Sequence, residues 1–290
     1  MDTKRQTADV ATKSSETTAA SAKANTAVTA GGAAGASTAS ETAAANAAVA
    51  GVADRLAWIA RAEFYELLAR TFSYAEGDAG RELAQALSDG SYVEAAREVC
   101  GKMGVVAANA TASAAAVSAA AAAVDTDAVL AAADAIGAAY AGADSESLLH
   151  RVHAEYTRLF IGTYEPLISP YGGWWRAKRE GKEPILFLSR ECREVEQAMH
   201  AAGVGNRAGL KEPLDHIGCE LEFLQYVCTV LAGLAPAQAE AAVTEETYDS
   251  FVAGHLRPFV ADFADAVLAA SGEPLLVFGA EMLKALSGAE

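Results

Sequence analysis

A chain of 290 residues, 52% of them hydrophobic, is long enough for one large domain or two small ones. Its formal charge of −16, with 38 acidic against 22 basic residues, opposes a grip on nucleic acid or an anionic membrane and favours a cationic partner, or serves solubility alone. The 4 cysteines, Cys100, Cys192, Cys219 and Cys228, form no Cys-x-x-Cys pair and argue against a secreted disulfide scaffold, so reduced structural thiols are expected.

Residues 1–50 are mostly Ala, Thr and Ser, without a leucine or an aromatic ring, and cannot bury enough apolar surface to offset their ordering entropy. They read as a disordered tail, and residues 51–290 as one folded domain. Lys4, Arg5, Lys13 and Lys23 balance Asp2, Asp9, Glu16 and Glu41, so the whole acidic excess falls beyond the tail. No apolar run follows Lys4-Arg5 as a secretory signal would need, so a cytoplasmic location is expected.

Residues 54–72 place Leu56, Ile59, Ala60, Phe64, Leu67, Leu68 and Phe72 on a helical period and predict a first amphipathic helix. A second helical region covers 81–103. The Ala-rich stretch 104–124 approaches membrane-span length, but Asn109, Thr111, Ser113 and Ser118 interrupt it and alanine is only weakly hydrophobic; it reads as a soluble insertion or helix. One or two Ala-rich helices follow over 125–149, leading into a helix that ends near Phe160. Residues 162–184 carry Pro166, Pro170 and Pro184 with Gly162, Gly172, Gly173 and Gly181, which excludes a continuous helix over most of the stretch and predicts a long loop. That loop carries Tyr164, Tyr171, Trp174 and Trp175, rings that suit either a peptide-binding surface or packing onto a bundle. Helices are then expected over 188–202, from Pro213 onward, over 245–270 and over 275–286. No useful strand alternation occurs, so the fold class is all-α: a single-domain bundle of about ten helices at typical lengths.

Glu212-Pro213-Leu214-Asp215-His216 opens the most informative helix. Proline suits the first helical position, where Glu212 and Asp215 would face the positive end of the dipole. Ile217, Leu221, Leu224, Cys228 and Leu231 then form one narrow apolar seam of a central helix. His216 and Glu220 lie four apart, and Asp215, Cys219, Glu222 and Tyr226 make the adjoining stripe. On spacing alone, dipole and charge-pair effects account for every one of these residues without a ligand.

Together with Glu155-Tyr156-Thr157-Arg158-Leu159-Phe160-Ile161-Gly162 and the Pro166, Ser169, Pro170, Tyr171, Trp174, Trp175 series, this segment resembles the TorD/DmsD-type chaperones that mature molybdenum-containing redox enzymes. The resemblance covers most of 54–286, is strongest between 155 and 226, and is absent from the tail and the Ala-rich stretch. His255-Leu256-Arg257-Pro258-Phe259 is also similar to the family's closing helix. The resemblance implies a TorD-like helical domain that is not an enzyme and holds no cofactor. It implies a cytoplasmic chaperone that binds the twin-arginine signal peptide and the apo form of a molybdopterin-containing oxidoreductase, and assists cofactor insertion before export. By the same resemblance Tyr171, Trp174, Trp175, Glu212, Pro213, Asp215, His216 and Glu220 become peptide-binding candidates. The rings would take the apolar part of the peptide, and Asp215, Glu220 or Glu222 its arginines. Homo-oligomerisation is left open. The basic run Arg176, Lys178, Arg179 and Lys182 departs from the family pattern.

Two other functions compete. An enzyme would use Asp215, His216 and Glu220 as an acid–base group, yet no nucleophile motif or phosphate loop accompanies them. A metal protein would use Glu146, His150 and His153, which share a helix face, although the paired Glu-x-x-His signature of di-iron bundles is absent.

Overall fold

The computed structural model describes residues 37–112, 126–162, 165–184, 189–205, 213–238 and 242–287. Helix α1 (Ser37–Phe72) starts inside the segment expected as tail, because alanine is the strongest helix former even where no apolar stripe exists. The rest of the expected tail lies outside the described residues. From Ala60 to Phe72 the apolar positions that the periodicity predicts are buried. Helix α2 (Gly77–Asp89) ends at Gly90, whose φ of 85° is left-handed backbone that glycine adopts without a Cβ penalty. Helix α3 (Ser91–Ala112) takes in the first part of the Ala-rich stretch, the remainder of which lies outside the described residues.

Helix α4 (Thr126–Tyr140) precedes α5 (Ser145–Tyr156), which is capped by Asp144 accepting the Ser147 N–H at 2.9 Å. A π-helical turn, Thr157–Ile161, continues α5 and stops at Gly162 (φ 65°), where a Cβ would strike the Glu165 carbonyl. Then come α6 (Gly172–Arg179), α7 (Arg190–Ala201), α8 (Ile217–Leu231) and α9 (Glu245–Phe251), the last opened by a reciprocal Thr244–Thr247 capping box. A second π-helical turn, Val252–Leu256, leads into α10 (Arg257–Ala270), and α11 (Pro274–Ser287) closes the described chain.

No strand occurs among the described residues, so the all-α expectation holds. Helix α11 packs on α10 and α4, and α2 on α5. A ring cluster joins distant parts of the chain: Phe263 of α10 lies 5.4 Å from Phe72 of α1 and 5.7 Å from Phe160 of the first π turn. The seam read from the sequence of α8 is real, with Ile217, Leu221, Leu224 and Cys228 all essentially inaccessible. Among the described residues no helix is long and apolar enough to cross a membrane.

Candidate functional site

The two segments singled out in the sequence pair with each other. Ile217 donates its N–H to the Pro170 carbonyl and Gly172 to the Asp215 carbonyl, both at 2.8 Å, which forms one antiparallel bridge between Tyr171 and His216. This pairing corrects the expected helix start. His216 is held extended against Tyr171, so α8 begins at Ile217, while Pro213 serves a turn closed by the His216 N–H at 3.1 Å. The N-cap is His216, whose Nδ1 accepts the Gly218 N–H at 3.0 Å. With Nδ1 accepting, the ring proton sits on Nε2 and points at the Tyr156 hydroxyl 3.3 Å away, which in turn donates to the Phe72 carbonyl at 3.1 Å. The imidazole is buried, and its edge meets the Tyr171 ring at 5.5 Å.

The aromatic stretch is not loop throughout. Trp174 and Trp175 ride on α6, and the glycine pair that argued against a helix is what lets this one form where it does. A Cβ on Gly172 would lie 3.0 Å from the Phe259 ring and 3.1 Å from Oε1 of Glu220; one on Gly173 would lie 2.8 Å from Oδ2 of Asp215 and closer still to the Ser189 hydroxyl. The α6 backbone therefore rests directly on side-chain carboxyls, and Gly173 donates its N–H to Asp215 Oδ2 at 3.1 Å. Asp215 thus serves the start of α6 rather than that of α8. Ser189 adds a weaker bond to the same oxygen at 3.4 Å while capping α7 through the Cys192 N–H.

Beneath α6 lie three buried carboxyl groups, those of Glu191, Asp215 and Glu220. Glu191 is partnered: Arg176 of α6 pairs with it and with Glu194, and the His255 ring nitrogen approaches within 2.6 Å. Burial raises the Asp215 carboxyl above the ordinary range, against the opposing pull of the Gly173 N–H. Glu220 is fully inaccessible, and neither of its carboxyl oxygens has a hydrogen-bond partner among the described residues. Burial, then the neighbouring Glu191 and Asp215 charges, push it well above the ordinary range, so the site is electrostatically tolerable with a proton on Glu220. Of the three acids expected to meet peptide arginines, Asp215 and Glu220 are buried, and Glu222, two residues on from Glu220, is exposed.

The remaining candidates separate by environment. Tyr171, Pro213, Trp174 and Trp175 are half-buried, and Glu212 lies outside the described residues. Trp175 is anchored, its Nε1–H donating to the Ser169 carbonyl at 2.8 Å and its ring edge on Phe263. Trp174 packs on Trp175 and lies 5.2 Å beneath the Lys178 ammonium. The basic run is not a free patch, since Arg179 pairs with Asp262 and Lys182 with Glu180. Glu191, which carries no local signal, Ser189 and the packing role of the Gly172-Gly173 pair escaped the sequence reading. The signals of the last two were a Ser three residues before Cys192, and a double glycine placed before two tryptophans. Among the described residues no group of three or more His, Cys, Asp or Glu is placed to hold a metal ion. His153 stacks on Tyr74 and bonds the Ala75 carbonyl.

The model of the family described as nitrate reductase delta subunit matches residues 114–265, just over half of the chain. The chain belongs to this family, that of the TorD-type maturation chaperones of molybdoenzymes. The match is narrower than the resemblance suggested, starting within the Ala-rich stretch and leaving out 54–113 and 266–286. Searches of curated proteins and of solved structures found no match.

Proposed function

We propose that this chain is a cytoplasmic, non-catalytic chaperone for a molybdopterin-containing oxidoreductase of the nitrate reductase type. It binds the client's twin-arginine signal peptide and the apo form of the enzyme, and keeps the latter competent for cofactor insertion before export. Support comes from the family membership and from one relationship in the fold: the Tyr171–His216 bridge draws the aromatic helix α6 against the start of α8. In this reading the half-buried rings of Tyr171 and Trp174 receive the apolar part of the peptide. The exposed Glu222 and the acidic body attract its arginines by long-range and hydrogen-bonded charge interactions. Pro213, Asp215, His216 and Glu220 act by holding α6 and α8 together, and Glu212 remains a candidate contact.

Calorimetry with a synthetic twin-arginine signal peptide of a nitrate reductase-type molybdoenzyme tests the reading. Binding that weakens as salt is raised is the expected result. Absence of binding to both the peptide and the full precursor overturns it.

A further inference from the structure

Helix α6 is attached to the body through the cluster that Glu220 completes. Its first amides bond Asp215, its Arg176 pairs with Glu191, and its Gly172 backbone covers the Glu220 carboxyl so closely that a single added carbon would sit 3.1 Å from Oε1. Among the described residues the titratable groups that face Glu220 are Glu191 from α7 and Asp215 from the segment before α8, both acidic. Arg176 and the His255 ring nitrogen are both engaged with Glu191, Cys192 faces Asp215, and Arg257 at the start of α10 has a buried Nε without a partner among the described residues. On the α10 side the wall is the apolar Phe259 ring. Among the described residues a carboxylate in this position would have no hydrogen-bond donor and two further carboxyl groups beside it.

We propose that the uncharged carboxyl of Glu220 is a latch that makes no bond of its own but lets α6 and its tryptophan pair close over it, and that loss of its proton releases α6. Ionised Glu220 needs water, and the cover that can lift is the eight-residue α6, not the long α10 that carries Phe259. The device thus couples proton concentration to the presentation of Trp174 and Trp175. It needs no client and stands whether or not a signal peptide binds.

The test uses the full chain carrying Trp58→Phe, so that Trp174 and Trp175 alone report, with fluorescence followed from about pH 6 to about pH 9. An alkaline transition in the tryptophan signal, absent in Glu220→Gln, which mimics the protonated acid, supports the latch. No transition, or one that Glu220→Gln retains, overturns it. If Glu220→Gln fails to fold, hydrogen exchange on the unmodified chain decides. Protection of α6 amides falling with pH, after correction for intrinsic exchange, while α11 keeps its protection, supports the latch; parallel loss in both overturns it.

Discussion

The carboxylate of Asp215 accepts the backbone N–H of Gly173 at 3.1 Å, and this one bond ties the start of α6 to the residue that precedes the cap of α8. The contact requires the absence of a side chain. Gly173→Ala places a Cβ 2.8 Å from that carboxylate oxygen and against Ser189. It should therefore destabilise the fold by about 1–3 kcal/mol, the scale of forced overpacking. Gly101→Ala, on α3 with nothing within 4 Å of the added carbon, should instead stabilise by about 0.5–1 kcal/mol. Urea denaturation of the two variants checks both signs, and equal effects would show that α6 is not packed on Asp215.

His216 has a scaffold role that the variants can separate from a binding role. Asparagine can accept the Gly218 N–H as Nδ1 does, while alanine cannot. His216→Ala should cost about 1–2 kcal/mol, and His216→Asn clearly less. Should affinity for the signal peptide follow the folded fraction in both variants, the imidazole acts by capping α8; a loss of affinity in His216→Asn at full folding would make it a peptide contact.

Glu220 gives the stability of the fold a pH dependence of definite sign. Its folded pKa is raised above the unfolded value, so the folded state binds the extra proton. The associated stability is fully present below the unfolded pKa and is lost as pH rises through the folded one. Glu220→Gln removes this term. The variant should therefore gain on the unmodified chain steadily from mildly acid to mildly alkaline pH, as read by urea midpoints at matched ionic strength. A constant offset across that range would mean that Glu220 is ionised, and solvated, in the folded protein.

The helical class and the α8 seam were legible because burial along Ile217, Leu221, Leu224 and Cys228 is a local, periodic property. The start of α8 was not. Pro213 and Asp215 satisfy the local rule for a helix start, but long-range pairing of Ile217 with Pro170 holds the backbone extended there. The same tertiary cause misplaced α6: Gly172 and Gly173 read as breakers, when they are glycine to admit Glu220 and Asp215. Glu191 carried no local mark at all. Its burial depends on Arg176, fifteen residues earlier, and His255, sixty-four residues later, meeting on one carboxylate.

The tryptophan pair offers the sharpest division between scaffold and peptide surface. Trp175 packs against the core, bonds the Ser169 carbonyl through its indole N–H and lays its edge on Phe263. Truncating it removes both a part-buried hydrogen bond and ring contact, so Trp175→Ala should lower stability by about 2–3 kcal/mol. Trp174 lies outside that core, held by the edge of Trp175 and the Lys178 ammonium. Its truncation should cost only about 1 kcal/mol of folding, the scale of one ring pair and a half-exposed cation–π contact. If Trp174 faces the client, as proposed, Trp174→Ala should nonetheless weaken signal-peptide binding about tenfold or more, which corresponds to about 1.4 kcal/mol. Glu246→Ala, on the exposed first turn of α9, should leave both stability and binding unchanged. Calorimetry and thermal melts on the three variants decide: an unaltered affinity in folded Trp174→Ala removes that ring from the peptide surface and leaves Tyr171 as the aromatic contact to test next.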